Sequence, residues 1–322
     1  MSHDDLIGAV TTLRQAPPEL SYPGLSPQLL ARVRQLWSAQ GLDFDRTWAL
    51  TVRSLPGFRA LPRPDGAPSS AQVDLMFLFD QCVIWVKTLH AAAALGRQQQ
   101  TEGLDPAQWH GLAAVSARLI DQVTALRLLA LTDLPMPAMQ IARSVSEDVD
   151  MMLVLLARRK LAARFTACRD VGEANEFWRR HIAGGRAFRA ITEKLYDVGL
   201  DYSADTEYAQ WRQQVLAILG AAVHSNALSL PAPAGTPGTV LQNDDSVYFS
   251  TFRIHELCAY AQLIRPGLTE ALDRAADEAA RSAMTGDGLA ALAAPLSTVL
   301  LSQIQSLHQP AQPRPARGAT RH

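Results

Sequence analysis

Residues 135–157 read PMPAMQIARSVSEDVDMMLVLLA. Pro135 and Pro137 cannot donate backbone amide hydrogens, which suits the first turn of a helix. Beyond them the apolar pattern runs almost unbroken to about Cys168, so the spacing predicts one helix over that span. Arg143, Glu147 and Asp150 fall four and three positions apart and share one stripe of it. Val145, Val149, Met152, Leu153 and Leu156 occupy much of the remaining surface, so the helix must be covered on most sides. The ionic stripe then has two readings. It is either an i,i+4 pair on a solvated face, worth about 0.3–0.5 kcal/mol, or an inward polar network inside a bundle.

The same punctuation extends in both directions. Ser26-Pro27 starts a helix over about 27–39, Gly41 follows it, and a second covers about 43–54. PGFRALPRPDGAPSS at 56–70 holds four prolines and two glycines and reads as a connector. Ser69 or Ser70 can cap a long helix carrying Leu75 to Leu95, and Gly96 to Gly103 reads as a frayed end or loop. Asp105-Pro106 opens a helix to about Leu131. Asp170 with Glu173 opens another, which Gly184-Gly185 kinks or ends. Further helices fall at about 204–228, 246–265, 268–284 and 288–308. Strand-length alternation is nearly missing, Thr239-Val240-Leu241-Gln242 being the one fair candidate, and there is no fixed-period repeat. The expected fold is all-α, a multi-helix bundle of eight to ten helices. Its expected organisation is an N-terminal helical arm and Pro-rich connector (1–70), a central bundle (71–228) and a loop (229–245). C-terminal helices packing on the bundle (246–308) and a disordered tail (309–322) follow.

Composition narrows the function classes. Among 322 residues, 48% are apolar and 19% charged, a globular balance rather than a disordered one. Thirty Lys and Arg against 31 Asp and Glu give a net charge of −1, which removes the whole-protein field of a dedicated nucleic-acid binder. Cys82, Cys168 and Cys258 are too dispersed for a metal cluster and cannot all pair, which fits a reducing cytoplasm. Met1-Ser2-His3-Asp4-Asp5 lacks the cationic start of a signal peptide. The apolar run Leu75 to Leu95 is about one bilayer thick, but Asp80, Lys87 and His90 interrupt it. Asp or Lys near a span's centre costs about 2.5–3.5 kcal/mol, so a buried helix of a soluble protein is expected, with no membrane partner.

Several chemistries are excluded by missing residues. Gly184-Gly185 and Gly235-Thr236-Pro237-Gly238 lack the Lys-Ser/Thr ending and strand context of a phosphate loop, and no G-x-S-x-G elbow is present. His255-Glu256 begins like a zincin motif, but position 259 is Ala259, and no histidine follows a glutamate by three residues as di-iron bundles need. No metal and no cofactor is expected. What remains are polar residues set in apolar helices. His224-Ser225-Asn226 lies one turn beyond Gly220, which would admit a close neighbour. Arg253, Glu256 and Tyr260 form a second stripe, with Tyr248 on the same helix. Asp80 and Lys87 are about 10 Å apart along one helix face and need partners elsewhere. Lys87 with Glu147 or Asp150, and Asp80 with Arg143, are the natural pairings. Arg158-Arg159-Lys160 and Trp178-Arg179-Arg180-His181 are local basic patches, read first as solvated faces; the second, with its aromatic neighbour, could touch a phosphate backbone.

Arg143-Ser144-Val145-Ser146-Glu147, the apolar helix after it, Leu161-Ala162-Ala163-Arg164-Phe165 and the later His224-Ser225 pair together resemble a bacterial all-helical domain family of unknown function. That family carries an R-(S/T)-x-x-E core helix, and the resemblance covers about 110–230. Part of this wider class resembles HEPN-type domains, some of which are ribonucleases built on an Arg-x4-His helix. No helix expected here carries that spacing, so such an activity would draw its arginine and histidine from different helices. Two functions follow as expectations. The first is a non-catalytic interaction or ligand-binding module whose partner is a protein or a polar small ligand, with Asp150, Lys87, Asp80, Asn226 and Tyr248 as ligand-binding candidates. The second is a metal-independent hydrolase of HEPN-like type acting on RNA, with His224, Arg143 and Glu147 as catalytic candidates. In it His224 is the general acid/base and Arg143 stabilises developing phosphate charge.

Overall fold

Asp105 caps its helix as the sequence signals. Its carboxylate accepts from the Ala107 amide at 3.0 Å, and Gln108 reaches back to the Asp105 amide at 3.2 Å, with Pro106 in the first turn. The helix it opens is one of twelve with at least eight residues in this computed structural model, which describes residues 18–52, 54–55, 58–61, 70–200, 207–223, 243–282 and 288–308. In chain order they are α1 (Pro27–Ser38), α2 (Phe44–Val52), α3 (Ser70–Gln99), α4 (Pro106–Leu131), α5 (Pro135–Ala157) and α6 (Arg159–Thr166). Then come α7 (Val171–His181), α8 (Arg186–Asp197), α9 (Glu207–Val223), α10 (Asn243–Ile264), α11 (Leu268–Arg281) and α12 (Ala293–His308). A single turn at Pro18–Ser21 and a 3-10 turn at Ala290–Leu292 complete the set, and no strand occurs among the described residues. The fold is an all-α multi-helix bundle.

Four long helices close into a ring at its centre. Helix α3 packs on α4, α4 on α5, α5 on α10, and α10 returns to α3. Helices α11 and α12 with the 3-10 turn cover α3, while α8 and α9 cover α5. This explains why α3 and α4 lack an apolar stripe and are apolar nearly all round. Among the described residues, Ala71–Gln99 is the helix long and apolar enough to cross a membrane; it is wrapped by α4, α10, α11 and α12. The N-terminal helices dock through aromatic rings. Trp37 meets Phe44 edge-on at 5.0 Å between centroids, Phe44 stacks on Trp48 at 5.5 Å, and Trp48 and Tyr22 each lie 5.2 Å from Phe77 of α3. Such pairs contribute about 0.5–1.5 kcal/mol each beyond their buried area.

The structure divides one span that the apolar pattern reads as continuous and ends another just before the glycines expected to kink or end it. The helix from Pro135 ends at Ala157, because Arg158 adopts an extended conformation (φ −130°, ψ 90°) before α6 begins. The helix capped by Asp170, whose Oδ1 accepts from the Glu173 amide at 2.8 Å, stops at His181. Gly184 and Gly185 turn the chain there in the left-handed region, where a side chain would be strained. Helix α3 runs on to Gln99, through part of the stretch expected to fray. Gly96 has a packing reason to be glycine: a Cβ there would lie 2.7 Å from the Trp109 ring of α4. Residues 243–245, expected in a loop, form the first turn of α10, where Asp244 and Asp245 suit the positive helix end. The rest of that loop, the strand candidate at 239–242 and the tail at 309–322 lie outside the described residues.

Candidate functional site

The Arg143–Glu147–Asp150 stripe of α5 faces α9 and α10, and its members become more enclosed along the helix. Arg143 Nε lies 3.3 Å from Glu147 Oε1, each side chain about one-third exposed (34% and 33%). The Arg143 guanidinium also donates to the Leu216 carbonyl at 3.0 Å, and the space it enters is left by Gly220, whose added Cβ would meet it at 3.0 Å. Gly220 does admit a close neighbour, and that neighbour is a side chain. Asp150 goes deeper. Its two carboxylate oxygens each accept at 2.5 Å from a different guanidinium, Arg212 of α9 and Arg253 of α10. Arg253 also donates to Ser146 at 3.1 Å and to Glu256, and Glu256 accepts from the Tyr260 hydroxyl at 3.2 Å. Phe188 of α8 lies under the Arg212 guanidinium at 4.0 Å. Side-chain exposures of 14% for Asp150, 7% for Arg212, 2% for Arg253 and 5% for Glu256 make this a buried network. Its two cations and two anions balance, as burial of charge demands.

Asp80 and Lys87 do not join it. Their expected pairings, Asp80 with Arg143 and Lys87 with Glu147 or Asp150, are corrected by the helix order: their α3 face looks toward α4 and α2, not toward the stripe of α5. Fully buried Asp80 takes Arg127 Nε of α4 at 2.8 Å and the Tyr22 hydroxyl at 2.5 Å. Arg127 also donates to the Arg59 carbonyl at 3.0 Å and lies 4.6 Å from the centre of the Phe58 ring. Burial and then the Asp80 charge push the Tyr22 hydroxyl pKa well up, so it stays a donor. Burial opposes the Arg127 charge, yet Asp80 holds its pKa above the usual value. Lys87 donates to the Ser54 carbonyl, just beyond the end of α2. Tyr248 is exposed on α10. His224 and Asn226 lie outside the described residues.

Other reactive side chains sit in environments that quench them. Burial pushes the Cys82 thiol well up and that of Cys258 to about 12, so both remain protonated and poor nucleophiles at neutral pH. Cys82 Sγ lies 3.7 Å from His255 Nε2, both buried. Asp148, next to the stripe, has its carboxyl raised to about 7 by burial, which outweighs the 2.5 Å ion pair with Arg118. Among the described residues no group of three or more His, Cys, Asp or Glu side chains could hold a metal ion.

An open site lies elsewhere, on α6, α7 and α8. Ten of the chain's 30 Lys and Arg fall between Arg158 and Lys194, against four of its 31 Asp and Glu, although the chain as a whole is near neutral. A cleft of about 200 Å³ is lined there by Arg158, Arg180, His181, Arg186, Arg189 and Glu193, floored by Leu161 and Ala190. Arg158 Nη2 lies 2.6 Å from Glu193 Oε2, and Arg180 pairs with Glu176 on its own helix. The Arg189 guanidinium makes no hydrogen bond or ion pair among the described residues. Partial burial, then the Arg164, Arg180 and Arg158 charges, lower the His181 pKa. The two basic runs seen in the sequence thus face each other across a concavity, because the breaks at Arg158 and Gly184-Gly185 fold α6 to α8 back on themselves. Comparisons with protein-family models, curated proteins and solved structures find no match for the chain.

Proposed function

We propose that this chain is a non-catalytic, cytoplasmic binding module whose interior ion network is a structural clamp and whose ligand contacts are made at the cationic cleft of α6 to α8. The observation that carries this reading is the contrast between the two charge clusters. Asp150 spends both oxygens on buried guanidiniums, while the cleft presents surplus guanidiniums to solvent. A general acid or base must reach a substrate proton, and the network's groups reach one another instead. Arg143, the stabiliser of phosphate charge in the hydrolase alternative, is already tied to Glu147 and to the Leu216 carbonyl.

Two measurements test the reading. Incubation of the full chain with RNA in EDTA should leave the RNA at the buffer background. Cleavage by the wild type that Arg143→Ala abolishes would replace this reading with the hydrolase one. Heparin-agarose should retain the protein despite its net charge of −1, and Arg180→Glu with Arg189→Glu should elute at clearly lower salt. Wild-type flow-through at low salt would remove the cleft from the reading.

A further inference from the structure

Four guanidiniums reach the cleft from three separate places in the chain, and local structure fixes them. Arg158 is the extended residue between α5 and α6. Arg180 stands in the last turn of α7, whose negative end favours cations. Arg186 opens α8 and donates to the Arg179 and Ala183 carbonyls at 3.0 and 2.9 Å, which holds its guanidinium over the end of α7. Arg189 follows one turn later on α8. Helix α8 begins at Gly185 with no side-chain cap and no acid in its first turn, so its positive end adds to the same field. The one acid lining the cleft is Glu193.

Ligand class follows from charge and size. Four lining guanidiniums face one lining carboxylate, and Glu176, which pairs with Arg180, is shared with the neighbouring Arg179. Five cations against two anions leave a surplus of three, which a monocarboxylate or a single sulfate does not balance. Guanidinium forks match phosphate oxygens two at a time. At about 200 Å³ the cleft is smaller than the roughly 300–1,000 Å³ of sites that enclose a whole drug-sized ligand. It therefore takes an anionic head and leaves the rest of its ligand outside. We propose that the α6–α8 cleft binds its ligand through a chain of two or more linked phosphate groups, an oligophosphate standing free or as part of a nucleotide. This rests on the binding-module reading above and adds the ligand's chemical class. His181, on the cleft wall among these arginines, reports occupancy, since an anion there reverses the field that disfavours its protonated form.

Titration calorimetry of the full chain with sodium tripolyphosphate, at about 150 mM salt to suppress diffuse attraction, should show saturable one-site binding. Arg189→Gln, which removes a guanidinium that has no partner among the described residues and should melt like the wild type, should bind at least tenfold more weakly. Equimolar sulfate should not compete. The His181 pKa, followed by NMR, should rise by about one unit on saturation. A nucleoside triphosphate binding as tightly as tripolyphosphate identifies the phosphate chain as the whole determinant, and tighter binding adds a subsite beside it. Equal affinity in Arg189→Gln, no saturable heat, or an unphosphorylated single-stranded RNA oligomer that tripolyphosphate cannot displace would each overturn the proposal. Heparin retention without tripolyphosphate binding would sink this inference alone, whereas RNA cleavage lost in Arg143→Ala would sink the binding-module reading beneath it.

Discussion

Replacing Asp150 with asparagine keeps the shape of the side chain and removes the charge that two buried guanidiniums share. Arg253 retains Glu256 and Ser146, but Arg212, its side chain only 7% exposed, is left with the Phe188 face. Breaking one side of a buried pair costs about 3–5 kcal/mol, against a total stability of about 5–15 kcal/mol. With a urea m-value of about 3 kcal/mol/M, the unfolding midpoint should fall by about 1–1.7 M. Adding Arg212→Met removes the stranded cation and should recover about half of the loss, so the double-mutant cycle should yield a coupling of at least about 2 kcal/mol, that recovery plus whatever Arg212→Met costs alone. Equilibrium urea melts followed by far-UV circular dichroism measure all four corners. A midpoint shift under about 0.3 M for Asp150→Asn would show that its carboxylate is solvated, and the structural clamp would have to be abandoned.

Further outcomes are expected from the same structure. Glu147→Ala, which opens only a one-third-exposed i,i+4 pair, should cost about 0.5 kcal/mol or less in the same melts; a cost near that of Asp150→Asn would place Glu147 inside the network. Asp148 carries a folded-state carboxyl pKa of about 7 against an unfolded value near 3.8, so the folded state binds the extra proton and stability falls as pH rises through that window. Asp148→Asn should therefore stabilise the protein by about 1–3 kcal/mol more at pH 8 than at pH 4, and a pH-independent difference would refute the shift. Tyr22→Phe removes a 2.5 Å hydrogen bond to buried Asp80 and should lower stability by about 1.5–3 kcal/mol, read from the thermal midpoint. Gly96→Ala drives a methyl into the Trp109 ring at 2.7 Å, costing about 1–3 kcal/mol and altering tryptophan fluorescence.

Helix identity was legible because caps and breakers act locally. Ser26, Asp105 and Asp170 each accept from an amide of the turn they open. The stripe on α5 was legible too, since a 3.6-residue period decides which side chains share a face. What a single helix cannot announce is which helix stands opposite. Asp80 faces Arg127 and not Arg143 because α4 lies against α3, a matter of tertiary order. A signal for Arg127 was present: a lone cation in the apolar run Leu126 to Leu131 requires a buried acid. Arg212 gave a weaker one, a cation beside Trp211 in a helix otherwise needed for packing. The cleft escaped because each basic run, taken separately, is an ordinary solvated face. Only the breaks at Arg158 and Gly184-Gly185 bring the runs together, and the first has neither proline nor glycine to betray it.

Helix α10 completes the central ring although 85 residues separate its first residue from the last of α5. Closing so long a loop is entropically costly and slow, while α3, α4 and α5 are joined by short turns and can assemble first. During synthesis from the N-terminus, the slot between α3 and α5 therefore stands open until residue 264 has left the ribosome. Through that interval the Asp150 oxygen that Arg253 will take stays hydrated, Val149 and Met152 stay wet, and the nascent chain offers a greasy trough of the kind that holdase chaperones grip. Arrival of Arg253 expels that water and completes the pairing that Arg212 of the earlier α9 begins, so the last of the four ring helices to be made is also the latch that closes the ring.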